Sequence, residues 1–124
     1  MEQTVKQIEH LRELHHEYNR DYFSGTLLTI PILIKRNRNK DGYYIYRAHR
    51  NDTPIVRELG RACIVISEDH YRPGPPDWEG IYGTLLHEMI HQYQAEVLNE
   101  DPDHNDIFNE MADTIERATG YPVK

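Results

Sequence analysis

The sequence has a single cysteine, Cys63, which excludes an internal disulfide and any zinc cluster built from cysteines. It has no apolar run near the ~20 residues that a membrane-spanning helix needs. The opening residues, Met1 to Gln7, are polar and lead into no apolar stretch, so no signal peptide is expected. There is no internal repeat and no low-complexity linker. Positive charge is short as well. Fourteen Lys and Arg against 21 Asp and Glu give a net charge of −7, which argues against a nucleic-acid binder of the generally basic kind. These absences point to an intracellular protein of cytoplasm, nucleoid or nucleus with no membrane partner. What remains is 124 residues, 38% hydrophobic and 28% charged. That composition fits one soluble domain over residues 1–124 with a modest core.

The charge is unevenly spread. Residues 35–61 hold eight basic residues (Lys35, Arg36, Arg38, Lys40, Arg47, Arg50, Arg57, Arg61) and three acids, a charge of +5. Six basic and 18 acidic residues elsewhere give −12. Such asymmetry can mark an interaction face, here one for DNA. The plainer reading is that strands and loops expose their polar sides, since proximity in sequence does not make a surface patch.

Val5, Ile8, Leu11, Leu14, Tyr18 and Tyr22 follow helical spacing, which predicts an amphipathic helix over 3–22 ended by Gly25. Three strands are expected next: Leu27–Ile34 with Pro31 marking an edge or bulge, Tyr43–Ala48, and Ala62–Ser67. Pro73-Gly74-Pro75-Pro76 forces a loop. Asp77 is a good N-cap for a helix over 78–98. Asp103 is a candidate cap for a last helix through His104, Phe108, Met111 and Ile115, ended by Gly120. The fold class is therefore α+β, with an antiparallel or mixed three-stranded sheet covered by helices.

The chemistry-bearing motif is His87-Glu88-Met89-Ile90-His91. In a helix, His87 and His91 differ by about 40° around the axis and ~6 Å along it, so both imidazoles reach one zinc ion. Glu88, about 100° away, can act on a water as general base without being a ligand. Trp78, Tyr82, Leu85, Met89, Tyr93 and Val97 fall on the far side of the helix and predict a core face. Gly80, Gly83 and Thr84 lie toward the histidines. Two glycines cost roughly 1 kcal/mol each there, so side chains at those positions are expected to crowd the cleft or the sheet. A catalytic zinc needs a third protein ligand. Two residues compete: His104, 13 residues after His91, and Glu110, within Asn109-Glu110-Met111-Ala112-Asp113, which is similar to the Asn-Glu-x-x-Asp helix of thermolysin-like peptidases.

Beyond this motif, Glu17-Tyr18-Asn19-Arg20-Asp21-Tyr22-Phe23-Ser24-Gly25-Thr26-Leu27 resembles the opening helix and turn of the SprT-like family. Gly42-Tyr43-Tyr44, Ile64-Val65-Ile66-Ser67, Thr84 to His91, and His104-Asn105-Asp106-Ile107-Phe108 resemble its later segments, in the right order, over residues 10–118. The resemblance implies a zincin-like minimal domain with N-terminal helix, three-stranded sheet, active-site helix and C-terminal helix. It implies zinc bound by His87, His91 and His104, Glu88 as catalytic acid/base, and a protein or peptide substrate. Spartan-type members cut proteins trapped on DNA, so DNA-linked substrates are among those implied. Asn105 stands where the family usually has glycine, a mild departure because Asn tolerates left-handed backbone. Many members carry a cysteine-rich zinc ribbon after the core. The single cysteine leaves no ribbon within these residues, so DNA dependence does not follow.

His10, His15, His16, His49 and His70 read as ordinary surface or half-buried histidines, with His70 alone close enough to an expected groove strand to touch substrate. Tyr82, Tyr93 and Cys63 read as core. Two functions result: a zinc endopeptidase, or a DNA- or partner-binding module whose zinc is structural.

Overall fold

The computed structural model describes residues 2–36, 40–45 and 62–124. Helix α1 (Glu2–Tyr22) buries Leu11, His15 and Tyr18 and leaves Val5 exposed. It ends ahead of Gly25, where Ser24 and Gly25 both take positive φ. Asn19 fixes the reversal. Its side-chain amide accepts from Leu27 N–H and donates to Leu27 C=O, both at 3.0 Å.

Strand β1 (Ile32–Lys35) is shorter than expected. Pro31 has no N–H to give a ladder, and its carbonyl instead accepts from Ile64 N–H at 3.0 Å as the strand begins. Leu28, expected in this strand, is bonded to helix side chains instead, through its N–H to Glu96 and its carbonyl to Gln92. Strand β2 (Gly42–Ile45) covers the first part of the second expected strand. Its expected continuation to Ala48, and most of the basic stretch, lie outside the described residues. Strand β3 (Cys63–Ser67) is central, parallel to β1 and antiparallel to β2, giving a mixed sheet in the order β1-β3-β2. Ile64, Val65 and Ile66 are all fully buried, which is why β3 reads as a continuous apolar run rather than an alternating one.

After a short 3₁₀ turn, η1 (Glu68–His70), Asp77 caps helix α2 (Trp78–Glu96) by accepting from Gly80 N–H. The expected two-sided α2 needs correcting. Leu85 and Met89 are core as expected, but Ile81, Leu86 and Ile90, in other directions, are equally buried, while Trp78 and Val97 are about two-fifths exposed. The helix runs through the middle of the molecule and packs against β2, β3, α1 and α3. Even Gln92 is fully buried, bonded to His15, Leu28 and Glu96.

Helix α3 (Asp106–Thr119) is capped by Asn105, whose side chain accepts from Phe108 N–H. Asp103, the expected cap, turns its carboxylate to His104 N–H instead. Asn105 has φ −89°, so its advantage over glycine is this cap and not left-handed tolerance. Gly120, with φ +78°, ends α3 and turns residues 121–124 back across α2.

That return explains Gly83. A Cβ there would run into the backbone carbonyl of Pro122, so the obstacle is this segment, which lines the groove, and not the sheet. Helix propensity alone favours Gly83→Ala by about 1 kcal/mol. The collision is with backbone, which cannot rotate away, and overpacking of this kind costs about 1–3 kcal/mol. Gly83→Ala is therefore expected to lower the urea midpoint, and an unchanged or raised midpoint would refute the contact.

Candidate metal centre

Helix α2 places His87 and His91 one turn apart on its open side, and the connection from α2 to α3 brings His104 over them. The Nε2 atom of His104 lies 3.1 Å from that of His87 and 3.2 Å from that of His91. Among the described residues these three form the one group of ring nitrogens, thiols and carboxylates gathered closely enough to hold a metal ion. Phe108, four residues after His104 and buried, sits beneath all three rings with each centroid 4.8 Å away. Glu110 is exposed and borders a separate depression with Tyr22 and Met111; the structure does not bring it to the histidines.

The outward ring nitrogens fix the tautomers. His87 Nδ1 donates to the Val123 carbonyl at 2.7 Å, and His91 Nδ1 donates to Gln94 Oε1 at 2.9 Å. In neutral rings both Nε2 atoms then present bare lone pairs to each other and to His104. Electron pairs crowded in this way are stabilised by a shared cation. Nitrogens bound tetrahedrally to one ion at about 2.0–2.1 Å stand roughly 3.3 Å apart, close to the spacing here. The residues present fit a metal, and an all-imidazole set suits a first-row transition ion. Burial pulls the pKa of His87 down, and that of His91 down to about 4, so both stay neutral and ready to bind.

Glu88 sits beside the triad, with Oε2 4.0 Å from His87 Nε2. Its carboxyl is buried, and desolvation pushes its pKa up to about 8, against the opposing influence of Lys40 and the Tyr44 backbone N–H. A cation bound nearby would draw the carboxyl back to its charged form. The four side chains open into a groove of about 520 Å³ with β2 along one wall, including Tyr43 and Tyr44, and Pro122 to Lys124 along the other. His70 is set back from the groove, its ring against the Asp41 carbonyl and Thr84.

Two contributors escaped the sequence reading. The Val123 carbonyl reaches His87 because Glu116 accepts from the Val123 and Lys124 N–H groups at 2.9 and 3.0 Å; a backbone acceptor has no sequence signature. Gln94 did leave a signal. It lies seven residues from His87, within about 20° of it around the helix, on the face already marked by the histidines.

No curated protein matches the chain significantly. The family model described as SprT-like matches residues 11–124, nearly the whole length, and the chain belongs to the SprT-like family.

Proposed function

From membership of the SprT-like family and the convergence of three imidazoles beside a buried glutamate, we propose that the chain is a zinc-dependent endopeptidase in which His87, His91 and His104 hold the metal and Glu88 is the catalytic acid/base. The observation that supports it most is the placing of the Glu88 carboxylate 4.0 Å from His87 Nε2, beside the three imidazoles and not among the gathered donors. Zinc held there supplies Lewis acidity, polarising a carbonyl and acidifying a water. Glu88 takes the proton of the attacking water and returns it to the leaving amine. Strand β2, outermost among the described strands, borders the groove, and an extended substrate segment would lie along it. Burial of Glu88 and His91 keeps bulk water from competing for these groups.

An unfolded protein such as casein is the direct test. Cleavage is expected with Zn²⁺, to stop on removal of metal by a chelator, and to resume when Zn²⁺ is returned. Cleavage that persists in the fully chelated protein would overturn the reading.

The +5 charge of residues 35–61 supports a second reading, a DNA- or partner-binding module with a structural metal. Binding of the chain to single-stranded DNA that weakens steeply with salt, without casein cleavage, would favour it. DNA-linked proteins as substrates combine the two readings and call for both binding and cleavage.

A further inference from the structure

We propose that Gln94 is a positioning residue that sets two of the three metal-binding imidazoles with a single amide. The proposal rests on the triad being a metal site. Gln94 lies in the last turn of α2 and is fully buried. Its Oε1 accepts from His91 Nδ1–H at 2.9 Å and from Asp103 N–H at 3.2 Å. Its Nε2 donates to Asp103 C=O at 2.9 Å and to Asn105 Oδ1 at 3.3 Å. Two acceptor positions and two donor hydrogens are all the amide has, and all four are used.

This arrangement admits one orientation. A flipped amide would set its NH₂ against the Asp103 N–H and its oxygen against the Asp103 carbonyl, with two like contacts in a site closed to water. Oε1 therefore faces His91, the proton stays on Nδ1, and the Nε2 lone pair is aimed at the other two rings. The same amide grips the backbone of residue 103 and the side chain of residue 105, on either side of His104. His104 itself is exposed, on an irregular connection between α2 and α3. Its backbone N–H donates to the neighbouring Asp103 carboxylate at 2.8 Å. Gln94 thus ties the loop bearing the third imidazole to the helix bearing the other two.

Gln92 gives the internal control. It too is fully buried on α2, but it bonds His15, Leu28 and Glu96 and makes none of these contacts to the histidine cluster. Gln94→Leu removes both halves of the amide. Gln94→Glu keeps the acceptor toward His91 and loses the donor toward Asp103 and Asn105. The measurements are Zn²⁺ affinity by chelator competition and the visible spectrum of the Co²⁺-loaded protein, alongside urea unfolding of the metal-free chain. Gln94→Leu is expected to weaken Zn²⁺ by about 10- to 100-fold and to alter the Co²⁺ bands. Gln94→Glu should fall between Gln94→Leu and wild type, and it carries the test if the leucine variant does not fold. Gln92→Leu should lower stability with affinity and spectrum unchanged. Wild-type affinity and spectrum in both Gln94 variants, or an equal loss in Gln92→Leu, would overturn the proposal while leaving the metal site standing. A wild-type chain that binds neither Zn²⁺ nor Co²⁺ would instead remove the reading on which it rests.

Discussion

Glu88→Gln is expected to abolish peptide cleavage while leaving zinc bound. The substitution keeps the size of a side chain that is 5% exposed and removes only its ability to take up and return a proton. Loss of a general acid/base typically lowers kcat by about 10²–10⁴-fold. Affinity should move by no more than a few-fold, because Glu88 stands beside the three imidazoles and is not one of the gathered donors. The variant also replaces a buried, ionisable carboxyl whose pKa burial raises to about 8 by a neutral amide, so its metal-free form should be at least as stable as wild type. The assay pairs casein cleavage with zinc content after dialysis. Undiminished cleavage with zinc present would show that proton transfer runs through another group. Loss of zinc together with activity would make Glu88 a ligand.

The second large effect separates the two rival third ligands. His104→Ala is expected to lower zinc affinity by at least about 100-fold, beyond the 10- to 100-fold typical of losing an outer hydrogen-bond partner. It deletes the ring whose Nε2 lies 3.1 and 3.2 Å from the other two. Little structural damage should accompany it, because His104 is exposed and residues 103 and 105 remain held by Gln94. Glu110→Ala should leave affinity at the wild-type value, since Glu110 borders a different depression. Chelator competition on both variants decides the matter, and the reverse ranking would mean a thermolysin-like arrangement.

The parts of this site that could be read in the sequence are those governed by local periodicity. His87, Glu88 and His91 share a helix, so a 100° step fixes their relation, and the Asp77 cap and the Gly120 stop mark ends that depend on nearest neighbours. Position 104 is different. Its approach to the other two histidines depends on an irregular connection and on a grip from Gln94, neither of which spacing encodes, and only the resemblance of residues 104–108 to the SprT-like family favours it over Glu110. The helical wheel failed for a related reason. It presumes one apolar face, whereas α2 is wrapped by the sheet and two helices, so Leu86 and Ile90 are as buried as Leu85 and Met89. The helix pattern marks Gly83 as crowded, but the crowding comes from Pro122, 39 positions away, which no local pattern identifies. The Val123 carbonyl behind His87 is invisible in principle, because every residue carries one.

A crystal of the zinc-loaded chain, with anomalous scattering recorded at the zinc edge, tests the central claim most directly. One ion is expected among the three imidazoles, bonded at about 2.0–2.1 Å by the Nε2 atoms of His87, His91 and His104, with the Glu88 carboxylate beside it and unbonded to it. An ion held by Glu110, or zinc bound elsewhere with these three rings free, would contradict it.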